Sequence, residues 1–196
     1  NGLGVPQDIP RAIGWYAQAD ANGDIQASFQ LALIYQNGIG VERNRARAAA
    51  LFRKASDGGH IAAKYNLGLL HVEGVYAEPS LVLAADLIGD AAEAGYPEAQ
   101  YDFAIMLLEG AGVAPDTGRG IEFMRQAANQ GLVDAQIEYA TMVYLGMGIE
   151  RDPQEAARWY GTAAQSGNPV AQSRYAMMLA TGEGIAPDME QAVMYR

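Results

Sequence analysis

The chain has 196 residues, half of them hydrophobic, which is enough for one sizeable domain or a short array of repeats. Asp and Glu number 23 against 13 Lys and Arg, and the resulting charge of −10 disfavours nucleic acid or an anionic bilayer as the main partner, because both are negatively charged. Cysteine is absent, which excludes disulfides and thiolate chemistry, and no apolar run approaches the ~20 residues of a membrane span.

Residues recur along the sequence with an unbroken period of 36. The period defines a partial repeat at 1–24, full repeats at 25–60, 61–96, 97–132 and 133–168, and a partial repeat at 169–196. Two series of glycines keep this step: Gly2, Gly38, Gly74, Gly110, Gly146 and Gly182, and then Gly23, Gly59, Gly95, Gly131 and Gly167. A period of this length is typical of helical arrays in which each unit buries its apolar face against its neighbours.

Each full repeat is predicted to form two helices, and the partial repeat at 1–24 supplies a second helix alone. In the repeat at 97–132, Ala99, Phe103 and Leu107 follow helical spacing, and a loop then leads to Asp116. Asp116 belongs to a series of short oxygen-bearing side chains that cap exposed helix N–H groups: Asp8, Asn44, Ser80, Asp116, Asp152 and Asp188. The glycines of the second series suit the left-handed residue that ends a helix.

Small residues recur where the two helices of a repeat are expected to meet. On the first helix they are Ala32, Gly68, Ala104, Ala140 and Ala176, and on the second Ala19, Ala55, Ala91, Ala127 and Ala163. Small side chains let two backbones approach closely, and bulky neighbours such as Trp159 are expected to fill the adjoining space.

These motifs resemble the Sel1-like repeat, a relative of the tetratricopeptide repeat with a longer loop between its helices. The residues that carry the match are Ala135, Tyr139, Ala140, Gly146, Gly148, Ile149, Asp152, Ala156, Trp159, Tyr160, Ala163, Ala164 and Gly167, and their equivalents recur along the chain. The resemblance implies an all-α fold, a right-handed α/α solenoid of stacked helix-turn-helix repeats. It also implies an adaptor or scaffold without catalytic residues, in a family whose bacterial members are often exported or tied to signalling and envelope assembly.

The paired loop glycines raise the alternative of a phosphate-binding loop. They lack the Gly-Lys-Ser/Thr of a P-loop and follow a helix rather than a strand, so a corner between helices is the favoured interpretation. One repeat departs from the pattern, because Tyr76 stands where the others have Gly4, Gly40, Gly112, Gly148 and Gly184. Tyr76 is either loop drift or an aromatic contact for a partner.

No cofactor and no metal site is predicted. The two histidines, His60 and His71, do not have zinc-ligand spacing and are interpreted as surface or packing residues. His60 follows a helix-ending glycine, and His71 falls near the end of a first helix.

One row on the first helices is polar and varied while its neighbours repeat. Its members are Gln30, Asn66, Asp102, Glu138 and Arg174, and they are expected on the concave side. With Glu98, Glu109 and Asp134 nearby, the repeats at 97–132 and 133–168 would present an acidic stripe there. Three interpretations remain open: a solvated face, recognition of a basic or extended polypeptide, or acid/base catalysis, which needs a desolvated pair of carboxylates. Met147, within a loop, is expected to be exposed.

The leading hypothesis is therefore a scaffold that binds a protein or peptide on its concave face. An envelope glycan-binding module is the first alternative, with Tyr76, Tyr101, Tyr139, Tyr144 and Tyr175 as candidate stacking residues, although the register predicts that most of these rings are buried. A regulatory segment of a larger protein is the second alternative.

Neither end of the sequence has the polar capping unit that usually closes a solenoid. We therefore expect a piece of a longer array, whose last helix would be free to pack end to end against another copy. The sequence starts at Asn1 without a signal peptide, and the compartment is left unassigned.

Overall fold

The computed structural model describes residues 8–74 and 79–195. Within these ranges the chain forms eleven α-helices and no strand, which confirms the prediction of an all-α repeat fold. The helices are α1 (Ile9–Ala21), α2 (Ile25–Asn37), α3 (Arg45–Asp57), α4 (Ile61–Val72), α5 (Leu81–Glu93), α6 (Pro97–Glu109), α7 (Thr117–Asn129), α8 (Val133–Leu145), α9 (Pro153–Gln165), α10 (Pro169–Thr181) and α11 (Met189–Met194).

The chain divides into two compact units, Asn1–Ala94 and Gly95–Arg196. In the first unit, helices α1 to α5 pack in chain order, each against the next. In the second unit, helices α6 to α11 pack in the same sequential way. Each unit is therefore a stack of helical hairpins in which neighbours along the sequence are neighbours in space.

Six second helices begin at the predicted capping residues. The carboxylate of Asp116 accepts the backbone N–H of Arg119 at 3.0 Å, and the side chains of Asp8, Asn44, Asp152 and Asp188 make the equivalent bond, as does Ser80 at 3.4 Å. The backbone of the same residue also ties the loop to the first helix, because Asp116 N–H donates to Leu107 O at 2.9 Å. The capping residue thus fixes both the start of one helix and its position against the other.

The paired loop glycines form a corner. Gly146 and Gly148 both have positive φ, 74° and 71°, and the N–H groups of Gly146 and Met147 donate to the carbonyl of Met142 at the end of α8. A phosphate-binding loop needs such N–H groups to point at the ligand, whereas these two are used inside the turn. Gly40, Gly112 and Gly184 also have positive φ, while Tyr76, at the same register position, lies outside the described residues.

The predicted small residues lie in the cores of the two units. In the first unit the predicted residues Ala32 and Ala55 are fully buried in one cluster with Phe52. In the second unit Ala104, Ala127, Ala140 and Ala163 are fully buried, and Trp159 packs edge-on against Tyr139 at 5.7 Å between ring centroids. Ala19 is only half-buried. The alanines therefore allow close helix contacts, and aromatic and aliphatic side chains fill the space between them.

Candidate binding groove

A groove in the second unit lies between helices α6, α7 and α8, and we call it the α6–α8 groove. Its cavity has a volume of about 730 Å³. The lining residues are Tyr101, Ile105, Leu108, Glu109, Thr117, Met124, Glu138, Thr141, Met142, Met147 and Gly148. The volume lies within the roughly 300–1,000 Å³ that is typical of ligand pockets.

The floor of the groove is apolar because the side chains that α6 contributes to it are largely apolar. Tyr101, Ile105 and Leu108 follow an i, i+4, i+7 pattern along that helix and lie on one face. Met124 and Met142, which are nearly fully buried, contribute from α7 and α8. On α8, the hydroxyl of Thr141 is held by the hydroxyl of Tyr160 at 2.8 Å and by the carbonyl of Ile137.

Two carboxylates, Glu109 and Glu138, are the charged side chains among the lining residues, and both are exposed. Further negative charge lies close by. Burial raises the pKa of the Tyr101 phenol, and so do the charges of Glu138, Asp134 and Asp102, in that order. The Tyr101 hydroxyl is therefore protonated at neutral pH, beside a negatively charged edge of the groove.

The structure brings together part of the residue set predicted from the sequence. Glu109, Glu138 and Met147 line the groove, and Met147 is 52% exposed, as expected. Asp102 and Asp134 act on the Tyr101 phenol from nearby. The remaining predicted residues lie elsewhere or are not described: Gln30 and Asn66 in the first unit, Glu98 in the first turn of α6, Arg174 on α10, and Tyr76 outside the described residues.

The groove also contains residues that were not predicted from the sequence to bind a partner: Ile105, Leu108, Thr117, Met124, Thr141, Met142 and Gly148. For Ile105 and Leu108, the apolar stripe next to the acidic row was an available signal. No such signal exists for Thr117 or Met124, because their contribution depends on how α7 packs against α6 and α8.

The tyrosines proposed as sugar-stacking residues have other contacts. Tyr139 is buried and donates to Glu155 Oε1 at 3.3 Å, Tyr144 donates to Glu183 at 2.7 Å, and Tyr175 packs edge-on against Tyr195. Among the described members of this set only Tyr101 lines the groove. Of the described rings Tyr139 is buried, and Tyr101, Tyr144 and Tyr175 are each partly exposed.

His60 has a more specific role than surface packing. Its Nδ1 accepts the N–H of Ala63 at 3.1 Å, which caps α4, and its ring stacks on Phe29 at 4.1 Å. Accepting at Nδ1 requires the ring proton on Nε2, which lies 3.1 Å from the side-chain oxygen of Gln26.

His71 lies near the end of a first helix, α4, as predicted, and is buried. Burial, followed by the charge of Arg53, lowers the pKa of its imidazole. The buried ring is therefore kept neutral, as its position in a packed helix interface requires.

No group of three or more His, Cys, Asp or Glu residues within 8–74 and 79–195 is placed to hold a metal ion. No helix in those ranges is long and apolar enough to cross a membrane.

These features define a helical repeat protein with a groove on its first helices. The Sel1 repeat profile matches residues 1–24, 25–60, 61–96, 97–132, 133–168 and 169–195. The chain belongs to the Sel1 repeat family, and the resemblance inferred from the sequence is confirmed. Sel1 repeats are generally protein–protein interaction scaffolds and are typically non-catalytic.

Solved structures of bacterial proteins share this fold. A protective antigen present in uropathogenic Escherichia coli strains, with an SLR fold, is 30% identical with a TM-score of 0.93, covering 99% of this chain and 42% of that one. A Sel1 repeat protein from Oxalobacter formigenes is 28% identical with a TM-score of 0.80, covering 90% of this chain and 70% of that one. The immunity protein Pa5087 from Pseudomonas aeruginosa, 21% identical over 99% of this chain and 74% of its own length, shares the fold with a TM-score of 0.60.

The chain spans less than half the length of the Escherichia coli antigen to which it is similar. Among proteins of curated function, none matches the sequence.

Proposed function

We propose that this chain is a non-catalytic scaffold that holds a segment of a protein partner in the α6–α8 groove. The observation that carries the proposal is the groove itself, a mostly apolar cavity of about 730 Å³ with two exposed carboxylates among its lining residues. Concave apolar sites with a few polar groups are the usual form of binding sites in proteins. Helical repeats present such surfaces to extended or helical segments of other chains.

The residues that maintain the fold differ from most of those that line the groove, and this difference supports the proposed function. The recurrent alanines, glycines and capping residues are used in packing, turns and helix starts, as with Ala104, Gly146 and Asp116. The groove is lined largely by positions that vary between repeats, since the register position of Thr141 holds Leu33, Leu69, Ile105 and Met177 elsewhere. Variation at such positions changes the binding surface without changing the fold.

Catalysis by Glu109 and Glu138 is not favoured. A carboxylate pair that works as acid and base needs unequal, desolvated environments, and both of these side chains are exposed. A role in bacterial signalling or envelope processes follows from the resemblance and is part of the proposal. The similarity to bacterial Sel1 repeat proteins supports a bacterial setting.

Site-specific photo-crosslinking tests the proposal. Two variants carry the photo-crosslinker p-benzoylphenylalanine, one in place of Glu138 and one in place of Met147. When each variant is irradiated in a lysate of the source cells, we expect both positions to crosslink to the same protein. The matched control places the crosslinker at Arg158, an exposed residue of α9 that does not line the groove.

The crosslinked protein should then bind the purified wild-type chain directly, and binding should weaken with added salt. Reversing charge in the Asp102→Lys/Glu138→Lys variant should weaken binding and flatten its salt dependence while circular dichroism stays unchanged. Crosslinks that form from Arg158 alone would contradict the proposed site.

A further inference from the structure

We infer that the segment held in the α6–α8 groove is amphipathic and basic, with an apolar side chain seated between α6 and α8 and a lysine or arginine that contacts Glu109 and Glu138. This inference rests on the proposed function and goes beyond it, because it specifies the chemistry of the partner. It depends on three observations: the apolar floor, the two unpaired carboxylates and the exposed methionine at the edge.

The apolar floor requires an apolar occupant. Ile105, Leu108, Met124 and Met142 supply aliphatic and thioether surface, and burial of apolar surface against it is favourable in proportion to the area removed from water. A cavity of about 730 Å³ exceeds the volume of one side chain, so the occupant contributes several residues. Flexible methionine side chains adapt to anchors of different shape, which suits Leu, Ile, Met or Phe in this place.

The carboxylates require a positive charge. Neither Glu109 nor Glu138 makes an ion pair with Lys or Arg in the described part of the chain. In the first unit the register equivalent of Glu109 is Glu73, which is paired with Arg45. The next repeat has Leu81 at the position of Arg45, so the sequence supplies no equivalent cation for Glu109.

The charges of Asp102 and Asp134 add to this field. Both act on the Tyr101 phenol in the groove, together with Glu138. An acidic or phosphorylated segment would be repelled here. A polyamine would satisfy the carboxylates but would leave the apolar floor uncovered. A segment that carries both an apolar side chain and a basic side chain matches both the apolar floor and the carboxylates.

Met147 lies at the solvent-exposed edge of the groove. It is 52% exposed on the loop after α8, and its register equivalents elsewhere include Ala111 and Glu183. The methionine therefore extends the apolar floor to the edge of the groove, where the segment would enter. Because the position tolerates alanine in another repeat, it can be changed without altering the fold.

Phage-displayed random dodecapeptides, selected against the purified chain at low ionic strength, provide the test. We expect enrichment of peptides that carry Leu, Ile, Met or Phe with Lys or Arg three or four positions away. Synthetic copies of the enriched peptides should bind the Glu109→Lys/Glu138→Lys variant roughly tenfold more weakly or worse. Selection against that variant should instead enrich Asp and Glu next to the same apolar residue.

Matched variants separate the possible outcomes. Glu42→Lys makes the same reversal of charge, from glutamate to lysine, at an exposed residue of the first unit. This variant should leave binding nearly unchanged. Met147→Ala should weaken binding, whereas Met147→Leu should preserve it. Glu109→Gln/Glu138→Gln, with circular dichroism as a folding check, removes the charges without adding new ones and should also weaken binding.

Three outcomes would overturn the inference. If purely apolar peptides are enriched and the charge variants bind them normally while Met147→Ala does not, the groove binds a partner of different chemistry and the proposed function stands. If 4-phenylbutylamine binds as tightly as the peptides, the groove is a small-molecule site. If the Met147 and carboxylate variants all bind normally, the groove is not the binding site, and the proposed function fails as well.

Discussion

Replacing Gly184 with alanine is expected to destabilise the protein by about 3 kcal/mol, one of the largest losses available to a single added methyl group. Gly184 is the second glycine of the loop between α10 and α11 and has φ of 75°. A Cβ at this position would overlap the carbonyl group of Pro153, at the start of α9. The left-handed conformation alone costs an L-residue about 1–2 kcal/mol, and the overlap with backbone forces a further shift in packing.

Two other glycines are matched controls for this prediction. Gly167 also has positive φ, 84°, but a Cβ there meets nothing within 4 Å, so Gly167→Ala should lose only about 1–2 kcal/mol. Gly14 lies inside α1 with open space around it, so Gly14→Ala should gain roughly 0.5–1 kcal/mol. Urea denaturation of the three variants measures their free energies of unfolding. If Gly184→Ala loses no more stability than Gly167→Ala, the close approach of Gly184 to the Pro153 carbonyl is disproved.

Replacing Phe52 with alanine is expected to lower the free energy of unfolding by about 3–5 kcal/mol. Phe52 is fully buried in the first unit among Ala32, Ala48 and Ala49, and its ring lies 5.9 Å from that of Phe29. Alanine neighbours are already small and cannot move in to fill the space, so the substitution leaves a cavity.

The sequence itself supplies the control for Phe52. Met124 occupies the same register position in the repeat at 97–132 and is also buried, so Phe52→Met should lose less than about 1.5 kcal/mol. Thermal and urea unfolding measure both variants. Equal losses for the alanine and methionine variants would show that the site is loosely packed and that the cavity argument is wrong.

The recurrent parts of the fold could be predicted from the sequence because each has a local cause. Asp116 and its equivalents cap helices by a hydrogen bond three residues along the chain, and Gly131 ends a helix with φ of 92°. Both depend on residue type and spacing alone. The period of 36 then predicts the stacking, since a single hairpin cannot bury its own apolar face.

The first helices were less predictable. Tyr96 and Leu132 occupy the N-cap positions of α6 and α8 without a side-chain cap, while His60 caps α4 through an imidazole nitrogen. Histidine is an uncommon cap, and its role here also depends on the stacking against Phe29, which is a tertiary contact. Sequence spacing does not show such contacts.

The α6–α8 groove was predictable in part for the same reason. The polar row identified Glu138, and helix-face spacing added Glu109, so the charges of the groove could be expected before its shape was known. The cavity arises where α7 packs against α6 and α8 and contributes Met124 and Thr117 to its lining. The position of the cavity in the second unit depends on the sizes of side chains from three different helices. The residue pattern of any one helix does not contain that information.

We propose that the partner segment binds along α6 and α8. Amide ¹H–¹⁵N chemical shifts, followed while an enriched peptide is titrated into the labelled chain, test it most directly. We expect the largest shift changes at residues 101–109 and 138–148, with the register equivalents at 29–37 and 65–73 nearly unchanged. Changes of equal size at those equivalents, or changes concentrated in the loop at 182–187, would contradict it.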